Sequence, residues 1–144
     1  MIERDTVRLL RECDEGVKMG VASIKDVLPH AHTDSLKTIL SESRKKHETL
    51  GKELQQLLER CGDEGKDPPA MALAMSELMT RMKLMLYDSD AEIADLMTDG
   101  CNMGVKSLSK YLNQYAAADE ASKGAARRLI ALEEDLAVDL RGYL

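Results

Sequence analysis

The chain has 144 residues, 44% hydrophobic and 32% charged, proportions that suit one compact soluble domain. With 3% aromatic residues and neither Phe nor Trp, the core must come from Leu, Ile, Val, Met and Ala, a palette that favours helices over sheets. A net charge of -6 argues against a nucleic-acid partner, and three cysteines without CxxC spacing make neither a disulfide framework nor a zinc knuckle. No apolar run reaches the roughly 20 residues a bilayer demands and no signal peptide opens the chain, so a cytoplasmic protein without a membrane partner is expected.

Prolines occur only at Pro29, Pro68 and Pro69 and mark the breaks. From the first residues to Val27 the chain reads as one helix, with Thr6, Leu10, Val17, Val21, Ile24 and Leu28 on one face and Glu12 and Glu15 pointing away. Pro29–Thr33 is a short turn that suits an antiparallel partner. A second helix follows from about Asp34 to Arg60, with Leu36, Leu40, Leu50, Leu54 and Leu58 inward. Cys61–Pro69 is a loop of charges and breakers, and a short Met-rich third helix spans Ala70 to Tyr87. Asp88-Ser89-Asp90 supplies capping oxygens for a fourth helix that runs to about Tyr115. A fifth runs from Asp119 to near the C-terminus, with Ala126, Leu129, Ile130, Leu136, Ala137 and Leu140 inward. The expected class is therefore all-α. One domain, 1–144, is built from hairpin 1 (1–60), a crossover carrying the Met-rich helix (61–89) and hairpin 2 (90–144).

The two hairpins look like copies. Gly16-Val-Lys-Met-Gly-Val-Ala-Ser-Ile24 matches Gly100-Cys-Asn-Met-Gly-Val-Lys-Ser-Leu108, and Leu50, Leu54 and Leu58 match Leu136, Leu140 and Leu144 at an offset two residues longer. That pattern predicts a pseudo-twofold antiparallel four-helix bundle with one long crossover. Each copy carries Gly-x-x-x-Gly, so Gly16, Gly20, Gly100 and Gly104 are expected at close helix contacts, which would offset the cost of interior glycine.

Four polar or soft residues interrupt the inward stripes: Asp14, His47, Cys101 and Glu133. Folding each hairpin about its turn places Asp14 level with Glu48, beside His47, and Cys101 level with Glu133. Such groups must be satisfied, protonated or bound to something. One reading is a hydrogen-bonded layer that fixes register, with Asp14 paired to His47 or Arg44. The other is a divalent metal site, for iron, manganese or zinc, made from Asp14, His47, Cys101 and Glu133.

This arrangement resembles the ferritin-like superfamily. It is most similar to bacterial ferritin-like domains whose hairpins each open with an acidic, Gly-containing helix, here Glu12-Cys-Asp-Glu-Gly16 and Met97-Thr-Asp-Gly100. Di-iron members place one Glu on each of two helices and Glu-x-x-His on the others. The resemblance would put Asp14 at the first carboxylate position. The second helix reads Arg44-Lys-Lys-His47, the repeat-equivalent of Asp14 is Thr98, and the last helix reads Ile130-Ala-Leu-Glu133. Half the ligand set is missing, so a di-iron oxidase or an iron-storage shell does not follow.

Met71, Met75, Met79, Met82 and Met85 keep their thioethers on one side of the third helix. The expectation is a flexible apolar face laid over the bundle, since Met fills irregular gaps. Were that face exposed, it would mark an oligomer or partner surface. His30 and His32 at the first hairpin tip read as solvated, and no phosphate loop, catalytic triad or Cys-His nucleophile pattern occurs. The expected function is a non-catalytic binding or interaction module without a cofactor, self-associating, with a dimer as the expected state.

Overall fold

Breakers and caps decide where each helix stops. The computed structural model describes residues 2–144, and among them only helices and their connections occur. Helix α1 covers Arg4–Val27 and passes into a 3-10 turn, Leu28–His30, where Pro29 cannot donate to a continued α-helix. Helix α2 spans Asp34–Arg60, α3 Ala70–Leu86, α4 Asp90–Gln114 and α5 Glu120–Leu140, with a last 3-10 turn at Arg141–Tyr143. Two N-termini carry side-chain caps: Ser89 Oγ, the expected one, accepts from Glu92 N at 3.2 Å, and Asp119 Oδ1 accepts from Ser122 N at 2.8 Å. The start of α2 is served from across the fold instead. The Asp90 carboxylate accepts from His32 N at 2.7 Å and Thr33 N at 3.0 Å.

Helices α1 and α5 touch each other, and each also packs against both α2 and α4, which lie on opposite sides of that pair. The interior separates into two apolar clusters. One gathers Leu9, Leu10, Cys13, Val17, Leu50, Leu54, Leu58, Leu108 and Leu129. The other gathers Ile24, Val27, Leu36, Leu40, Ile93, Met97, Leu136 and Leu140, with Leu84 from α3. A fork from Arg128 to Glu53, at 2.6 and 2.7 Å, ties α5 to α2 on the surface.

Folding the first hairpin about Ala31 misjudges the α1–α2 register. Val17 comes close to Gly51, Asp14 meets Gln55, and Gly20 meets His47. The partner of Asp14 is thus seven residues beyond Glu48, a displacement of about 10 Å at 1.5 Å per residue. The cause is the connection. Leu28–His30 climb in a 3-10 turn, about 2 Å per residue, and residues 31–33 carry the chain on before α2 begins at Asp34.

Helix α3 lies against α1 and α4. Only Leu84 is fully buried there, and the expected covering role of the methionines is overturned. Met71, Met75, Met79, Met82 and Met85 all face outward, Met71 being 78% and Met85 84% exposed. The inward side is taken instead by Leu73, Ser76, Glu77, Thr80 and Leu84.

Candidate functional site

Between the two apolar clusters lies one polar layer. Helix α2 brings His47, which is wholly buried, and α5 brings Glu133, 8% exposed. His47 Nε2 stands 2.9 Å from Glu133 Oε1, and His47 Nδ1 donates to the Ser43 carbonyl at 2.7 Å. A carbonyl can only accept, so Nδ1 carries a proton; against an ionised carboxylate Nε2 carries the second. Burial pulls the imidazole towards neutrality, but the Glu133 hydrogen bond, the Ser43 carbonyl and the Glu133 charge outweigh it and raise its pKa above the usual value. Both ring nitrogens are thus hydrogen-bonded, and the raised pKa favours the charged form of the ring.

Helix α1 makes room for that pair by having no side chain at Gly20, whereas α4 only borders it at Gly104. A Cβ at Gly20 would lie 2.9 Å from His47 Cδ2 and Nε2, and one at Gly104 would lie 3.5 Å from the Glu133 carboxyl carbon. Gly16 performs the same service for Leu129, at 3.3 Å, whereas Gly100, also expected at a close contact, faces open space. The layer follows the internal repeat. His47 and Glu133 stand 86 positions apart, the offset that relates Leu50 to Leu136, and Gly20 and Gly104 occupy matching places in the shorter motif. Equivalent residues of the two hairpins thus meet at the centre.

The four candidate ligands of the metal reading do not all converge. Cys101 joins the layer as a hydrogen-bonding neighbour of Glu133, and burial, followed by the Glu133 charge, pushes its thiol pKa far up. Burial, with Glu12 and Asp14, likewise lifts Cys13 to about 12, so neither thiol supplies a thiolate near neutrality. Asp14 sits elsewhere, because the climbing connection separates it from His47. Among the described residues no group of three or more His, Cys, Asp or Glu side chains is placed to hold a metal ion.

What Asp14 holds instead is the crossover loop. Its carboxylate, 2% exposed, accepts from Gln55 Nε2 at 2.9 Å, Lys66 N at 3.0 Å and Lys18 Nζ at 2.8 Å. Gly65 passes so close, at φ +93, that a Cβ there would run into the Asp14 carboxylate. Lys66 also pairs with Glu12 at 2.8 Å and Glu15 at 2.9 Å, so these two acids are half-buried under the loop rather than pointing away. Arg44, expected as a partner of Asp14, pairs with Glu48. At the repeat position of Asp14, Thr98 Oγ1 is buried without a partner. Sequence reading found the buried acid but missed Gln55, Gly65 and Lys66. Gly65 and the adjoining cation were the available signal for a loop folded back onto a carboxylate.

Two surfaces remain as places for a partner. A shallow groove of about 720 Å3 between α1 and α2 has Lys18, Lys25 and Lys52 facing Glu48 and Glu59, mixed signs without a convergent donor set. The outer side of α3 is continuous and apolar: Leu78 and Leu86 are exposed alongside the five methionines, and Tyr87 follows them. The sequence reading named the methionines and missed these leucines.

A family described as a domain of unknown function, DUF2383, matches residues 5–114, and the chain belongs to that family. The match runs through α1 to α4, with α3 inside it and Glu133 beyond it. No curated protein and no solved structure matches the chain.

Proposed function

We propose that this DUF2383 protein is a non-catalytic interaction module: a ferritin-like four-helix bundle that serves as a scaffold and presents α3 as its working surface. The observation that carries the reading is the apolar outer face of α3. Soluble monomers rarely leave a contiguous apolar patch of more than a few hundred Å2 uncovered, and larger ones mark interaction sites. Seven large apolar side chains on a single 17-residue helix face water here. The interior supports the same reading, since His47 and Glu133 satisfy each other, Asp14 is held by Gln55, Lys66 and Lys18, and the buried thiols are held protonated. The ferritin-like assignment rests on the repeat-equivalent His47 and Glu133 and on the long crossover between the hairpins.

A photo-crosslinking residue in place of Met79 tests this in living cells, with the same residue in place of Met103 on α4, 70% exposed, as the control. A covalent protein adduct at position 79 and none at 103 is the expected result. No adduct at 79, or equal labelling at both, overturns the reading. At concentrations where both are monomeric, Met79→Asp should leave the melting temperature within about 3 °C of wild type; an unfolded variant would mean that the face is core.

A further inference from the structure

We infer that the partner of the α3 face is a second copy of this chain, paired antiparallel about a twofold axis that passes beside Leu78 and Met79. The inference deepens the interaction-module reading and rests on it.

The exposed positions have the spacing of a helix–helix seam. Met71, Met75, Leu78, Met82 and Met85 follow one another by four, three, four and three residues, the heptad interval that keeps a stripe facing a partner helix. Ala72, Met79 and Leu86 flank the stripe at intervals of seven. All eight positions are exposed, while α3 turns Leu73, Thr80 and Leu84 towards its own bundle. The side turned inward is mixed, with Leu73 and Leu84 among Ser76, Glu77 and Thr80, so the more apolar side of the helix is the one without a partner within the chain.

The stripe is also its own complement when reversed. Laid antiparallel against a copy of itself, Met71 comes opposite Leu86, Ala72 opposite Met85, Met75 opposite Met82 and Leu78 opposite Met79. Every exposed apolar position in the stripe thereby meets another, which is what an isologous twofold interface requires and what an unrelated partner would not impose. Seventeen residues make a seam about 25 Å long. Five methionines and two leucines, each more than half exposed, offer each partner an apolar area approaching the roughly 800 Å2 of a standard stable interface. The seam carries no ionisable side chain, and beside it Glu77 and Arg81 neutralise each other at 2.6 Å. A lipid surface suits the site less well. Asp88, Asp90, Glu92, Asp95 and Asp99 follow directly on the adjoining segment, and anionic headgroups would repel them.

Sedimentation of the full chain tests the inference. At about 100 µM the expected species has twice the 16.0 kDa chain mass, and Met82→Glu, which puts a charge in the seam, weakens association about a hundredfold or more. The variant should keep the wild-type circular dichroism and melting temperature at concentrations where both are monomeric. Orientation is read by oxidation: Leu78→Cys, next to the axis, crosslinks to its counterpart, whereas Met71→Cys at the far end does not. A monomer at 100 µM, a dimer indifferent to Met82→Glu, an unfolded Met82→Glu, or efficient crosslinking of Met71→Cys to itself overturns the inference. The adduct at position 79 separates the two levels of the argument. An adduct with a different protein removes the second copy and leaves the interaction module standing, while no adduct removes both.

Discussion

At the scale of single residues, the middle layer turns on atoms that are missing as much as on those present. Gly20 and Gly104 occupy matching positions in the repeat, yet their surroundings differ. A methyl group on Gly20 would press against the stiff imidazole of His47, whereas one on Gly104 would reach Glu133 at ordinary contact distance. Gly20→Ala is therefore expected to cost about 1–3 kcal/mol through overpacking, only partly offset by helix propensity. Gly104→Ala should instead gain about 0.5–1 kcal/mol. Urea unfolding of the two variants checks the contrast in sign. The sequence revealed that these glycines matter, but a shared motif could not reveal which of them faces a ring.

At the scale of elements, the crossover is anchored by a buried acid rather than by apolar packing alone. Asp14→Ala leaves the Lys66 amide and the Gln55 side chain without their acceptor, which should lower stability by about 2–4 kcal/mol. Limited proteolysis with a lysine-specific protease should then cut the native variant at Lys66 well before wild type, because the loop loosens while the long helices stay packed. Equal cleavage rates would show that the carboxylate does not anchor the loop. Helix boundaries were readable because Pro29, the Pro68-Pro69 pair, Ser89 and Asp119 act locally. α2, expected from Asp34 to Arg60, has those limits. The pairing of Asp14 was not readable, since it depends on how far six connecting residues climb, and side-chain pattern does not encode that distance. For α3 the sequence supplied the stripe but not its direction. The side that turns inward, with Leu73 and Leu84 among Ser76, Glu77 and Thr80, is the less apolar of the two, so burying the more apolar face points α3 the wrong way.

At the scale of the whole molecule, buried ionisable groups link folding to pH. His47 has a raised pKa in the fold, so its pair with Glu133 stabilises fully below about pH 6.5, where the unfolded imidazole is also charged. That contribution fades as pH rises through the folded value. Cys13 adds a separate loss from about pH 9 upward, because its thiol holds its proton to about 12 in the fold. Melting temperature plotted against pH should fall in two steps, and His47→Gln should remove the first while leaving the second. A curve unchanged by that substitution would mean that the pair is electrically neutral throughout.

The central pair also bears on how the two hairpins fit each other. Position 47 in one hairpin and position 133 in the other are counterparts, yet one is basic and the other acidic. Two copies of the first hairpin would set imidazole against imidazole, and two of the second carboxylate against carboxylate, pairs that would have to give up or share a proton to sit together. Only a mixed assembly brings opposite charges together. The contact at the centre is thus an unlike one, a base from the first hairpin held by an acid from the second.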